Sequence, residues 1–357
     1  MLAHVLSQYT LTSNALVQPF GSGLINSTWK VVDGSSEYIL QKINTQVFKQ
    51  PEYIAENINA LAEYLQANVP KYLFVSPVKT TEGQSMVHLQ EHGYFRLFPF
   101  VPNSHTLNVT QTPRQALEAA HQFASFTKVL CGFQVQNLKI TLPHFHDLSL
   151  RFQHFKTACI HGNPLRINGA KDEIATVMEH ARIVTTYEQI TRSPAFRLRV
   201  THHDTKISNV LFNDADRGIC VIDLDTVMPG YYISDVGDMM RTYLSPVSEE
   251  EKDFTKIEVR DAYFEAIVQG YLKPMLPELS STELSSFFYS GLFMVYMQAV
   301  RFLTDHLNDD VYYGATYQGH NLVRAQNQLV LLQRLLEKEE TYNAIVQQVA
   351  HVHLISS

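Results

Sequence analysis

The first hundred residues read as short β-rich runs separated by turn residues. Stretches 27–32 and 37–43 flank Asp33-Gly34-Ser35-Ser36, which predicts a hairpin. From Pro51 the period changes: Ile54, Ile58, Leu61 and Leu65 recur every three or four residues, predicting a helix over 51–67 with proline in its first turn. Strands are expected again near 72–75, 86–89 and 94–98. After Pro99-Phe100-Val101-Pro102 the texture turns helical. The first helix is expected behind Thr112 as cap and Pro113, and others near 147–160, 170–190, 249–272, 279–306 and 320–349. One β-rich stretch, 199–227, interrupts them. No internal repeat or low-complexity linker is visible.

This order describes an α+β chain: a small sheet carrying one helix, then a larger, mainly helical part. The expected division is 1–101 and 102–357. A length of 357 residues suits two lobes sharing a cleft, because single cores stop growing at roughly 250–300 residues.

Composition narrows the classes of function. With 45% hydrophobic and 18% charged residues, the chain has the make-up of an ordered protein. A net charge of −7 without a basic run argues against nucleic-acid and membrane-surface partners. Cys131, Cys159 and Cys220 are odd in number and lack paired spacing, as free thiols in a reducing compartment would be. Residues 1–20 lack a basic segment followed by an apolar one, and no run approaches the ~20 apolar residues of a membrane span. The expectation is a cytoplasmic protein.

Chemistry concentrates in the β-rich interruption. His202-His203-Asp204-Thr205-Lys206-Ile207-Ser208-Asn209 runs into apolar Val210-Leu211-Phe212, and after a turn comes Cys220-Val221-Ile222-Asp223-Leu224-Asp225. Phosphoryl transfer needs a carboxylate that orients the acceptor hydroxyl and oxygen ligands for a phosphate-bridging cation. Two strands ending in one cleft can deliver both. His144 and His146 lack a Cys or third His at ligand spacing and are discounted as zinc ligands.

The H-x-D-x4-N loop followed by I-D-x-D resembles the protein-kinase-like superfamily of aminoglycoside phosphotransferases and choline kinases. That resemblance implies a two-lobed protein-kinase-like fold and a kinase using ATP and Mg²⁺ on a small-molecule alcohol or sugar. It makes Asp204 the catalytic base and a substrate contact, Asn209 and Asp223 metal ligands, Asp225 a candidate second metal contact, and His202 a loop brace. Gly21, Ser22 and Gly23 precede the first strand pair, where a nucleotide loop would lie. The phosphate cation is expected within Tyr38-Ile39-Leu40-Gln41-Lys42. Alternation lets only one of Gln41 and Lys42 face inward. Lys42 is favoured for its charge and Gln41 stays open, with Glu56 as the expected carboxylate partner. Asp235, Asp238 and Arg241 form an expected brace under the catalytic loop.

A wider set of segments is similar to the N-acetylhexosamine 1-kinase branch: 38–44, Phe95-Arg-Leu-Phe-Pro-Phe100, Phe145-His-Asp147 with Arg151, 222–230, 235–241 and Arg301-Phe-Leu-Thr-Asp305. In that branch the acceptor is the anomeric hydroxyl of N-acetylglucosamine or N-acetylgalactosamine. Phe98 and Phe100 are then assigned to the nucleotide, and Arg301 and Tyr312 to the substrate. The alternatives are a kinase of choline, homoserine or an aminoglycoside, and a nucleotide-binding pseudokinase-like module.

Overall fold

The computed structural model describes residues 1–21 and 25–356. A short helix α1 (Leu2–Leu6) precedes a five-stranded antiparallel sheet of β1 (Leu16–Pro19), β2 (Ser27–Asp33), β3 (Ser36–Lys42), β4 (Val87–Leu89) and β5 (Gly93–Pro99), in the order β1-β2-β3-β5-β4. Gly34, at φ +62°, makes the turn between β2 and β3. One face of the sheet buries Val31, Leu40, Phe95 and Leu97 beneath Val5, Leu6 and Tyr9. No strand forms at 72–75; the chain meets β5 further on, where Val78 N–H donates to Leu97 O at 2.7 Å.

Helix α2 (Pro51–Asn68) buries Ile54, Ile58, Leu61 and Leu65, and this stripe joins the core of the helical part. It is pinned there by Asn57, whose amide donates to the carbonyls of Lys139 (2.9 Å) and Val227 (3.0 Å) and accepts from Lys139 N (2.7 Å).

The helical part contains α3 (Pro113–Val129), α4 (Leu148–His161), α5 (Pro164–Gly169), α6 (Lys171–Glu179) and α7 (Arg182–Arg192). It continues with α8 (Tyr232–Tyr243), α9 (Asp261–Met275), α10 (Ser281–Ser285), α11 (Phe287–Leu307), α12 (His320–Leu336) and α13 (Glu339–Ser356). Thr112 caps α3, its hydroxyl accepting from Gln115 N at 3.3 Å. The helix expected over 249–272 begins only at Asp261. The segment before it is irregular, and Arg260 there donates to the terminal carbonyls of α8 at Tyr243 (2.7 Å) and Leu244 (3.1 Å). The β-rich interruption becomes two ribbons, β6 (Arg199–Thr201) with β9 (Met228–Gly230) and β7 (Val210–Phe212) with β8 (Gly218–Val221). No described helix is long and apolar enough to cross a membrane.

Helix α11 is buried along nearly its whole length and forms the axis of the large core. Helix α8 lies against it through Gly237, where a Cβ would collide with the carbonyl oxygen of Ser290. This close approach sets the height of α8, and therefore of everything α8 supports. We expect Gly237→Ala to cost about 1–3 kcal/mol through overpacking. Urea denaturation would read this as a lower midpoint; an unchanged midpoint would show that the two helices separate freely.

Candidate active site

The loop 202–209 leaves β6 and enters β7, and α8 organises it. Asp235 and Asp238 stand one turn apart on one helix face. Asp235 accepts from the backbone N–H of His202 (3.0 Å) and His203 (2.7 Å), and Asp238 accepts from Thr205 N (2.8 Å). The Thr205 hydroxyl returns a bond to Asp235 O at 2.7 Å, and Tyr243 donates to Thr205 O at 2.5 Å. This grip holds His203 at φ +67°, a backbone shape that non-glycine residues rarely adopt. The His203 ring packs on Gly230, where any side chain would strike it, and meets His146 Nδ1 at 3.3 Å.

His202 is fully buried. Its Nδ1 faces Asp204 N (3.3 Å) and its Nε2 faces Ile222 O (3.0 Å), contacts that tie the loop to the strand before Asp223.

Asp204 is a quarter exposed. Its Oδ2 receives Asn209 Nδ2 and Lys206 Nζ, each at 3.0 Å. Among the described residues nothing donates to Oδ1, which is free to take a proton. Burial opposes the charge of Asp204, but Lys206, His202 and the Asn209 amide outweigh it and hold the carboxyl below its ordinary range. Because Asn209 spends its N–H on Asp204, its side-chain oxygen remains open.

Asp223 follows β8 by two residues and stands at φ +60°, ψ +60°, where the chain leaves the strand line. It is open to solvent and accepts no hydrogen bond among the described residues. Surrounding protein, then Asp225 and Asp204, push it up to about 7. Asp235 is pushed to about 6 by burial, against the pull of His202 and its two N–H donors.

Asp225, expected as a candidate second metal contact, does other work. It is buried, with Oδ1 2.5 Å from Arg96 Nη2, a contact made by charge and proximity without hydrogen-bond alignment, and with Oδ2 accepting from Asn26 Nδ2 at 2.8 Å. Arg96 also donates to Gln41 Oε1 from Nε (3.1 Å) and Nη2 (2.9 Å). These residues couple the sheet to the segment that follows β8.

Cross-strand register decides the phase of β3. Gln41 pairs with Arg96, and Lys42 with Phe95. Directly opposed residues share a face. Lys42 therefore lies on the face of Leu40 and Phe95, its Nζ 5.9 Å from the Phe95 ring, and the inward phase favoured for it is corrected in favour of Gln41. Glu56 does not pair with Lys42 either. It is exposed, 3.8 Å from Lys139, because its neighbour Asn57 is the α2 residue turned toward the helical part. Sequence reading missed Arg96. The signal was present, since a charged residue between Phe95 and Leu97 in an apolar strand requires a buried partner.

Phe98 lies under the Arg96 guanidinium (4.9 Å), and Phe100 under Lys30 (4.4 Å), which also pairs with Glu37 at 2.6 Å. Gly21 is exposed at φ +73°; Ser22 and Gly23 lie outside the described residues. Arg241 joins Asp238 (3.0 Å) to Glu249 (2.7 Å), and Glu249 continues to Arg324.

A cavity of about 220 Å³ brings Arg301 and Tyr312 together with Arg151, Tyr313 and Asp305. Arg301 stands 5.8 Å over Phe145, whose ring reaches His203, the residue before Asp204. Asp305 is occupied by the backbone N–H of Tyr312 (2.7 Å) and Tyr313 (2.9 Å) and by Asn321 (3.1 Å). The two arginines hold neutral acceptors only: Arg301 reaches Gln298 Oε1 (2.9 Å) and Arg151 the carbonyl of His144 (2.8 Å), while Arg151 Nε is buried without a partner.

We expect Arg96→Met to leave Asp225 as a stranded buried charge and to cost about 3–5 kcal/mol, with Asp225→Asn recovering most of the loss in the double variant. Urea denaturation of the three variants decides it, and additive losses would refute the clamp.

Comparison with known proteins follows this geometry. A microcompartment-associated aminopropanol kinase superposes with a TM-score of 0.66 at 16% identity, over 96% of this chain and 98% of that one. Amicoumacin kinase, solved with AMP-PNP, Ca²⁺ and amicoumacin, gives 0.64 at 12%, over 93% and 92%. An ethanolamine kinase of Plasmodium vivax gives 0.56 at 11%, over 92% and 86%. At these identities the likeness is one of fold, a small antiparallel sheet against a larger helical part. The family model of the phosphotransferase enzyme family, APH, matches residues 16–280, and the chain belongs to that family.

Proposed function

We propose that this chain is an ATP-dependent, Mg²⁺-dependent kinase that phosphorylates the anomeric hydroxyl of an N-acetylhexosamine, N-acetylglucosamine or N-acetylgalactosamine, to give the sugar 1-phosphate. Phosphoryl transfer itself follows from family membership and from the free Oδ1 of Asp204. The acceptor class rests on one observation, the charge of the cavity that Phe145 links to His203 through Arg301.

Arg151 and Arg301 line this pocket, and its carboxylate, Asp305, already accepts from three donors. Aminopropanol, ethanolamine, choline and aminoglycosides are cations, which two guanidinium groups repel. The carbonyl of an acetamido group and the hydroxyls of a sugar accept hydrogen bonds from guanidinium N–H, while Tyr312 and Tyr313 offer ring faces.

Asp204 takes the acceptor proton at Oδ1 while Asn209 and Lys206 fix Oδ2. Asp223 and the side-chain oxygen of Asn209 fit a hard divalent cation: both are oxygen donors, and neither is already satisfied. Among the described residues no three His, Cys, Asp or Glu side chains form an all-protein cage, which suits an ion held jointly by nucleotide phosphates and few protein ligands. When bound, Mg²⁺ neutralises phosphate charge. The nucleotide is assigned to the sheet face carrying Gln41 and Phe98, with Phe100 and Gly21 at its edge. Residues 1–101 and 102–357 form the two lobes in this reading.

Two outcomes follow. Asp204→Asn should lower turnover by about 10²–10⁴ with Mg·ADP affinity nearly unchanged; wild-type turnover would remove Asp204 from the mechanism. In an ADP-release assay, N-acetylhexosamines should exceed plain hexoses, amino alcohols and aminoglycosides in kcat/KM, because an acetamido site leaves buried polar groups unpaired with other acceptors. Faster turnover of choline or kanamycin, or phosphate on C6 by ³¹P-coupled NMR, would overturn the sugar 1-kinase reading.

A further inference from the structure

We propose that Glu249 is a positioning residue that ties the loop carrying Asp204 to the wall of the cavity at Arg301; this rests on the kinase reading above.

The two oxygens of Glu249 serve two helices. Oε2 accepts from Arg241 Nη1 of α8 at 2.7 Å, and Oε1 accepts from Arg324 Nη2 of α12. Glu249 itself lies between α8 and α9, outside both. Asn327 of α12 fixes that segment by donating to the carbonyls of Ser248 and Glu251, each at 3.1 Å. Burial opposes the charge of Glu249, but the two guanidinium groups outweigh it and hold the carboxyl below its ordinary range.

Toward the base the connection is short. Arg241 donates to Asp238 Oδ1 from Nε (3.1 Å) and Nη2 (3.0 Å), and the other oxygen of Asp238 takes the N–H of Thr205, the residue after Asp204. Toward the cavity, the Arg324 guanidinium lies 3.8 Å over the Phe302 ring and 5.3 Å over that of Tyr313, and its Nη1 donates to Asn321 Oδ1 at 3.3 Å. Asn321 is fully buried, and its amide donates to Asp305 Oδ2 (3.1 Å), Asp310 Oδ1 (2.9 Å) and Gly314 O (2.9 Å). Asp305 in turn fixes the backbone of Tyr312 and Tyr313.

Every joint from Thr205 to Tyr313 is thus a charge pair or a hydrogen bond. Such contiguous chains carry coupling between sites when both ends move together. The cavity meets the base from both sides: at His203 before it, through Phe145, and at Thr205 after it, through Glu249. An acceptor that settles against Tyr312 and Tyr313 therefore also sets the loop that must take its proton. Glutamine at 249 would keep the size but offer one acceptor oxygen, so one arginine would lose its joint.

A charge cluster kept only for stability would also place Glu249 here, and kinetics separate the two roles. ADP release is followed for wild type, Glu249→Gln, Asn321→Ala and the double variant, with urea midpoints beside it. The acceptor is N-acetylglucosamine, or whichever member of the acceptor panel wild type turns over fastest. Each single variant should lower kcat/KM for the acceptor about 10–100-fold while the KM for ATP stays within about twofold. The double variant should lose no more than the worse single one, because one cut breaks a chain as fully as two. Losses that multiply, losses that fall equally on ATP, or a lowered urea midpoint with kcat/KM intact would each overturn the proposal. If Glu249→Gln does not fold, Glu249→Gln with Arg324→Gln removes the stranded positive charge and carries the same expectation. Wild type that releases no ADP with any acceptor would overturn the kinase reading and this inference together, a result distinct from failure of the variants alone.

Discussion

Two carboxylates on one helix face shape the catalytic loop. Asp235 and Asp238 point from α8 at the backbone N–H groups of His202, His203 and Thr205. They hold His203 in its left-handed conformation, directly before Asp204. Burial works against the charge of both, and the N–H donors, His202 and Arg241 answer it. The height of α8 is set in turn by Gly237 against α11. A packing contact far from any ligand thus governs where the base stands.

A second dependence crosses between the sheet and the helical part. Arg96 and Asn26 reach Asp225, two residues beyond Asp223, while Asn57 of α2 holds the carbonyl of Val227. The segment after β8 is therefore referenced to the sheet on one side and, through His202 and Ile222, to the loop 202–209 on the other. Asp225 serves this coupling with both oxygens, while Asp223 accepts no hydrogen bond among the described residues.

The charges around the reaction centre are divided by sign. Carboxylates gather at Asp204 and Asp223. Guanidinium groups gather on the other side of Phe145, at Arg151 and Arg301. In the proposed reading this separation would give nucleotide and acceptor different electrostatic surroundings.

Much of this was legible from the sequence. The period-two runs and turn of β2 and β3, the apolar stripe of α2 and the Thr112-Pro113 start of α3 are local signals, set by side-chain spacing and backbone preference. The H-x-D-x4-N and I-D-x-D motifs are likewise local, and they placed Asp204, Asn209 and Asp223 in one stretch. Contacts between segments distant in sequence were not legible. Strand phase in β3 depended on register with β5, which put Gln41 and not Lys42 beside Arg96. The role of Asp225 depended on a partner more than a hundred residues away. Spacing along a chain determines which side chains share a face; which face meets which partner is decided only when the sheet and the helices pack together, because burial and charge are satisfied across the whole fold at once.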